Sequence, residues 1–292
     1  MSKINAVIAL GYFDGVHKGH VKVLELAKSL AEELCCKPVV FTFSGNLRGK
    51  LKGGKEILSV AEKLNELKRH GFNEILSAPL TEDFLSLSPE DFLSYIGGLY
   101  SIKGLVCGED YRFGKNAAGD VNYLKNYCEK QGIKLKVSKT VSVDGKKVSS
   151  SAVKKLLGLG DVEKANSLLG YDYYIDGKVS AGRAVGKTLG FPTVNLSVDD
   201  EKSPLKEGVY AGYTVIDGVK YKAIINYGAK PTFNIYDKSV EAYLIGFDGN
   251  LYGETITLRF THFIREIQKF ADENELKARL YSDKKFALEH VK

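Results

Sequence analysis

The spacing of apolar residues changes near the middle of the chain, and this bounds the fold more tightly than any other feature. Up to about residue 157, short apolar runs alternate with amphipathic stretches. Ala6–Leu10, Pro38–Phe43, Glu74–Leu76 and Lys103–Cys107 read as strands. Val21–Leu34 reads as a helix, with Leu24, Ala27, Leu30, Ala31 and Leu34 on one face. Further helices are expected over Val60–His70, over Ser88–Leu99 with Ser88 as cap and Pro89 in the first turn, and over Val121–Gln131. Strand–helix alternation of this kind builds a parallel sheet with helices on both faces, whose ligands bind at the carboxyl ends of the strands.

From about residue 171 onward the pattern is β-rich and glycine-rich. Val209–Val215 and Glu241–Ile245 alternate as strands do, and Asp217-Gly218 and Asp248-Gly249 carry hairpin signals. Short strands with turns every ten residues or so predict a small closed antiparallel barrel. A last helix, capped by Asp272, is expected to bury Leu276, Leu280 and Phe286. Between the halves, Ser150–Gly170 reads as two short helices, the second starting at Asp161 and stopping at Gly170. The expected organisation is residues 1–157, a helical linker 158–170, and residues 171–292, in an α/β plus β fold.

With 292 residues, 44% of them hydrophobic, the chain can bury a core in each of two domains. The first apolar run is too short for a signal peptide or a membrane span, so no membrane partner and a cytoplasmic location are expected. Cys35, Cys36, Cys107 and Cys128 show neither C-x-x-C nor metal-ligand spacing and read as reduced thiols. A net charge of +6, dispersed along the chain, suits anionic small substrates as well as it suits nucleic acid.

Gly11-Tyr12-Phe13-Asp14-Gly15-Val16-His17-Lys18-Gly19-His20 falls between the first strand and the first helix, where an α/β protein binds phosphate. Gly19 allows close backbone approach, and His17 and His20 at the helix start can donate to a triphosphate as charge moves onto leaving pyrophosphate. The bland alternative is two satisfied histidines at a tight turn. Ser149 and Ser150 start a helix, where Lys154 adds a cation; this suits an anion as well as simple capping. In the second half, Ala181–Thr188 nearly spells a Walker A loop. Its required first glycine is Ala181, however, and Pro192 follows too soon for the helix such a loop opens. A turn proline and a capping threonine remain the plain reading of Pro192 and Thr193 by themselves.

Taken in order, these runs resemble a known family. The Gly11–His20 turn is similar to the H-x-G-H signature of nucleotidyltransferases. Together with Gly108–Lys115 and Ser149–Leu157, it resembles the FMN adenylyltransferase half of bacterial bifunctional riboflavin kinase/FAD synthetases. The resemblance implies a Rossmann-like nucleotidyltransferase sheet with His17 and His20 catalytic. It also implies ATP phosphates at Gly11, Phe13, Asp14, Gly19, Ser149, Ser150 and Lys154, and flavin or nucleotide near Asp110 and Arg112. Gly190–Asn195 resembles the G-x-P-T-x-N signature of riboflavin kinases, and Gly208–Ala211, Asn226–Phe233, Glu241, Leu251–Glu254 and Phe263–Glu266 follow in that family's order.

By the same resemblance, Gly182, Lys187, Gly190, Pro192, Thr193 and Asn195 bind ATP, and Thr193 and Asn195 also hold Mg²⁺. Glu241 is then the general base, and Arg265 and Phe270 meet the flavin. Four departures from the family stand out in the first half and the kinase loop. Phe41-Thr42-Phe43-Ser44-Gly45-Asn46 replaces an F-x-P-H-P stretch, Ser151 replaces Thr, Lys154 replaces Arg, and Lys187 replaces Arg. A lysine keeps the charge but loses the planar two-point grip on phosphate.

The implied activity is phosphorylation of riboflavin to FMN followed by adenylylation of FMN to FAD. The implied partners are ATP, riboflavin and FMN, with no nucleic acid and at most weak self-association. Two other readings compete: a riboflavin kinase with a weak or repurposed nucleotidyltransferase half, and a basic nucleic-acid-binding barrel, which scattered rather than striped basic residues disfavour.

Overall fold

The computed structural model describes residues 3–45, 54–180, 191–197, 202–203, 205–229 and 238–292. Contacts divide the chain into two compact units, Met1–Ser150 and Ser151–Lys292.

The first unit is a parallel sheet of β1 (Asn5–Leu10), β2 (Lys37–Phe43), β3 (Glu74–Ala78), β4 (Ser101–Gly108) and β5 (Lys134–Ser138), ordered β3-β2-β1-β4-β5. β1 is central, which is why Ala6–Leu10 reads as an unbroken apolar run: it is buried on both faces. The winding reverses between β1 and β4, so the carboxyl ends of those two strands open the crevice where such sheets take ligands. Both of the first-half loop motifs, after Leu10 and after Gly108, emerge there.

Among the described residues, the helices α1 (Lys18–Glu33), α2 (Val60–Arg69), α3 (Glu82–Leu85), α4 (Pro89–Leu99) and α5 (Val121–Gln131) alternate with these strands. Their ends follow local chemistry. Ser59 and Glu62 form a capping box on α2, Ser88 caps α4 ahead of Pro89, and α5 runs from Asp120 to a left-handed Gly132. α1 buries Val23, Leu24, Ala27, Leu30 and Ala31. A short ribbon, β6 (Ser142–Val143) and β7 (Lys146–Lys147), follows, turning at Asp144-Gly145.

In the second unit, α6 (Ser150–Leu159) and α7 (Val162–Leu169) come first, α7 capped by Asp161 and ended by left-handed Gly170. Six strands then close a barrel: β8 (Tyr174–Ser180), β9 (Thr193–Ser197), β10 (Gly208–Ile216), β11 (Val219–Ala229), β12 (Lys238–Leu244) and β13 (Thr255–Arg265), ordered β10-β11-β12-β9-β8-β13. The chain ends in α8 (Glu273–His290). Asp217-Gly218, both at positive φ, makes the β10–β11 hairpin. Asp248-Gly249 does not make a second two-residue hairpin. The positive-φ glycines of the 245–254 connection are Gly246 and Gly253, and a primed turn centred on Asp248-Gly249 needs left-handed backbone at Gly249.

Alternation along the strands sorts the side chains. Tyr210, Ile225, Val240, Ala242 and Phe260 fill the interior, Tyr210 meeting Phe260 edge to face at 5.5 Å. Val209, Ala211 and Ile224 face outward and are covered by Ala287 and Val291. The buried residues of α8 are therefore Asp283 and Ala287, not Leu276, Leu280 and Phe286, which are half-buried. Leu276 and Leu280 line a cleft instead of the core.

Gly212 sits where β10 and β13 change register, and a methyl group there would run into the Arg259 carbonyl oxygen. Gly212→Ala is expected to destabilise the barrel by about 1–3 kcal/mol. The check is hydrogen exchange: protection of β10 and β13 amides should fall while that of β1 and β4 holds.

Candidate active sites

The turn after β1 is drawn tight by backbone that few residues adopt. Phe13, Gly15 and Val16 all have positive φ, at 56°, 77° and 37°. Hydrogen bonds from three directions hold it: Thr42 Oγ1 to the Tyr12 carbonyl (2.9 Å), Ser150 Oγ to the Asp14 carbonyl (3.0 Å), and the Ile57 N–H to Asp14 Oδ1 (2.7 Å). Asp14 is itself buried.

His17 caps α1. Its Nδ1 accepts from the His20 N–H at 3.3 Å, so the neutral ring carries its proton on Nε2. The two imidazoles stack with centroids 3.6 Å apart and planes 11° from parallel, and Phe13 meets His20 edge-on at 5.3 Å. Gly19 leaves room for His17: a Cβ there would stand a tight 3.2 Å from that ring, which would have to give by a few tenths of an ångström. Gly11 similarly makes room for the Phe13 ring. Burial pushes the His17 pKa down to about 4, against the opposing pull of Asp14 and Asp110. A ring that stays neutral at pH 7 can donate from Nε2 without bringing a full charge.

Of the other residues expected here, Ser150, the last residue of the first unit and the first of α6, donates to the turn, Ser149 precedes it, and Lys154, already in the second unit, is half-buried. Asp110 is exposed and paired with Lys147 at 3.1 Å; Arg112 is exposed and paired with Asp120 at 3.3 Å. Lys63 had no motif to announce it. Buried on α2, its Nζ donates to the Phe43 carbonyl at 3.0 Å and lies 4.7 Å from the Tyr12 ring centre, and Tyr12 bonds Glu56 Oε1 at 2.5 Å. Burial lowers the Lys63 pKa to about 8. The signal was available in the helical pattern, where Lys63 falls on the same face as Leu67.

The second unit gathers its residues on the outer face of the barrel. Antiparallel pairing sets Glu241 on β12 opposite Asn195 on β9, and Thr193 opposite Tyr243. Thr193 Oγ1 donates to Glu241 Oε1 at 2.6 Å, and Asn195 is buried beside them. A cleft of about 250 Å³ opens over this face, with Thr193, Asn226, Glu241 and Arg265 as polar points and Phe191, Ile224, Tyr243, Phe270, Leu276 and Leu280 among its apolar walls. Arg265 lies over the Phe270 ring at 5.6 Å. Pro192 is exposed just ahead of β9, whereas Gly182, Lys187 and Gly190 fall outside the described residues.

Among the described residues no cluster of three or more His, Cys, Asp or Glu side chains is set to hold a metal. A carboxylate, a hydroxyl and an amide side by side are hard oxygen donors, suited to a small divalent ion that takes its other oxygens from phosphates and water.

A parallel sheet with a histidine-capped helix at its switch point, followed by a closed barrel with a carboxylate over an apolar cleft, defines a two-domain protein of nucleotide chemistry. Residues 1–152 match the FAD synthetase family model, and residues 169–291 match the riboflavin kinase model. A Bacillus subtilis bifunctional riboflavin kinase/FMN adenylyltransferase is 36% identical over 98% of this chain and 92% of its own. Its Listeria monocytogenes counterpart is 32% identical over 96% and 90%. A crystal structure of a Streptococcus pneumoniae protein described as a macrolide-efflux protein superposes with a TM-score of 0.89 at 30% identity, covering 99% of this chain and 95% of that one. The chain belongs to the bifunctional riboflavin kinase/FMN adenylyltransferase family. No helix among the described residues is long and apolar enough to cross a membrane.

The buried neutral state of His17 has a consequence for stability. Between its ordinary pKa of 6.5 and its folded value of about 4, the unfolded chain takes up a proton that the folded chain refuses. Stability contributed here is therefore full above pH 6.5 and is lost as pH falls toward 4, by about 3 kcal/mol at most. Urea unfolding from pH 7 to pH 4 should show this slope in the wild type and a shallower one in His17→Gln.

Proposed function

We propose that the chain phosphorylates riboflavin to FMN in its second unit and adenylylates FMN to FAD in its first. The observation that carries the reading is that one chain holds both family domains, FAD synthetase over residues 1–152 and riboflavin kinase over residues 169–291. Residues 1–157 are assigned to adenylyl transfer, 158–170 to a helical linker and 171–292 to the kinase.

In the kinase step, Glu241 takes the proton from the ribityl 5′-hydroxyl as that oxygen attacks the γ-phosphorus. The new O–P bond forms as the bond to the β–γ bridging oxygen breaks, and ADP leaves. The Thr193 hydroxyl, donating to Glu241 Oε1, holds the carboxylate for this role. Thr193 and Asn195 would also hold Mg²⁺, which when bound neutralises charge on the β- and γ-phosphates. The flat flavin ring takes the apolar cleft, with Arg265 and Phe270 on its wall.

In the adenylyl step, an FMN phosphate oxygen attacks the α-phosphorus of ATP and pyrophosphate leaves. The nucleophile is already ionised, so no base is required. His17 and His20 donate to the phosphates at the start of α1, where the helix dipole favours negative charge. Ser149 and Ser150 stand at a second helix start that would favour an anion, to which Lys154 adds a cation within the same helix, and Asp110 and Arg112 border the strand end where flavin or nucleotide would lie. The reading takes the protein as a cytoplasmic enzyme with ATP, riboflavin and FMN as its ligands and no nucleic acid. Its four cysteines are free thiols.

Chromatography of products from riboflavin, ATP and Mg²⁺, with a parallel reaction started from FMN, tests the whole. FAD is expected in both tubes. FMN without FAD in either would leave the kinase and remove the adenylyltransferase. His20→Ala should abolish FAD while FMN formation survives, and loss of both would sink the two-site model. Glu241→Gln should lower the kinase rate by ~10²–10⁴ with FAD formation from FMN intact. Thr193→Ala should raise the Mg-ATP requirement of the kinase step alone.

A further inference from the structure

The wall of the kinase cleft is held from outside by a buried ion pair. Arg265, at the end of β13, gives Nε to both oxygens of Asp283 (3.2 and 3.0 Å) and Nη2 to Oδ2 (2.8 Å), while Nη1 donates to the Glu266 carbonyl at 3.2 Å. The Asp283 side chain is 1% exposed and that of Arg265 11%. A second guanidinium, Arg279, approaches Asp283 Oδ1 at 3.4 Å, so two cations share one carboxylate.

A guanidinium has five N–H donors in a rigid fork. Three are spent on Asp283 and Glu266, leaving one proton on each terminal nitrogen without a partner among the described residues. The same guanidinium lines the cleft beside Glu241 and covers Phe270. Without Asp283, only the Glu266 carbonyl and the face of the Phe270 ring would remain among its described contacts to orient it.

We propose that Asp283 is a positioning residue for the kinase. By gripping Arg265 along its Nε–Nη2 edge, it aims the remaining donors at a flat aromatic ligand bearing carbonyl acceptors. Because Asp283 belongs to α8, whose Leu276 and Leu280 line the same cleft, docking of the terminal helix and binding of the ring system are one event. The inference rests on the kinase reading above.

The test is a double-mutant cycle on FMN formation using Asp283→Asn, Arg265→Lys and the double variant. Adenylyl transfer started from FMN and circular dichroism serve as folding controls. Asp283→Asn is expected to raise the riboflavin KM about tenfold with little change in kcat or in the ATP KM. The double variant should be no worse than Arg265→Lys alone, since one residue acts through the other. A folded Asp283→Asn with wild-type riboflavin KM, or additive effects in the cycle, would overturn the proposal. Where Asp283→Asn does not fold, Asp283→Glu keeps the charge pair but displaces the guanidinium by one methylene. Its riboflavin KM should rise, and an unchanged value would equally overturn the proposal. Absence of FMN from the wild type in the same series fails the kinase reading, whereas a normal wild type with indifferent variants fails this inference only.

Discussion

Antiparallel pairing of β9 with β12 sets Asn195 opposite Glu241 and Tyr243 opposite Thr193, and the chemistry of the second unit depends on that register. Side chains two apart along a strand share a face, so hydroxyl, amide and carboxylate converge only while the pairing holds. A slip of one residue would turn Glu241 into the interior now filled by Val240, Ala242 and Leu196. An unpaired carboxylate there would cost several kcal/mol. The alternation that packs the barrel thus also protects the geometry outside it, and core and cleft are two faces of one ladder.

The first unit reaches its geometry by strain rather than by ladder. A β-branched residue at φ 37°, such as Val16, is an uncommon conformation that surrounding structure must hold in place. Bonds from β2 (Thr42), from the segment before α2 (Ile57) and from the start of α6 (Ser150) all end on this turn. The turn in exchange brings His17 back over its own helix start, into a space that a side chain at position 19 would crowd.

Much of this was legible in the residues. Caps, prolines and glycines mark helix ends by local chemistry, so Val121–Gln131 and the Asp161–Gly170 helix stand where the spacing puts them. Central strands announce themselves as apolar runs, as Ala6–Leu10 does. What failed to show was set by tertiary context. Leu276 and Leu280 obey helical periodicity yet wall a cleft, and Asp283, a polar residue, is buried on that helix together with Ala287. Asp248-Gly249 has the letters of a tight hairpin, but the strands around it end too far apart to use one. Lys63 shares a helical face with Leu67, but what holds a charged residue there shows only once its partners are known.

The two units handle phosphate in opposite ways, and the proposed reactions account for the difference. An alcohol must lose its proton to become a nucleophile, so a kinase step calls for a carboxylate near neutral donors, as Glu241 lies beside Thr193 and Asn195. A phosphate monoester is already an anion, and a nearby carboxylate base would only repel it. In the first unit Asp14, one of the buried carboxylates, accepts from the Ile57 amide, while burial keeps the His17 imidazole at the helix start neutral. A protonated His17 would bind ground-state phosphate more tightly, but uniform binding of that kind lowers KM without raising kcat. In the proposed adenylyl step, a neutral His17 Nε2–H, preorganised by its Nδ1 bond to the His20 amide, would gain most as charge builds on the leaving pyrophosphate. Desolvation of one histidine and exposure of one glutamate to a cleft are thus matched to whether the attacking oxygen arrives with a proton or without one.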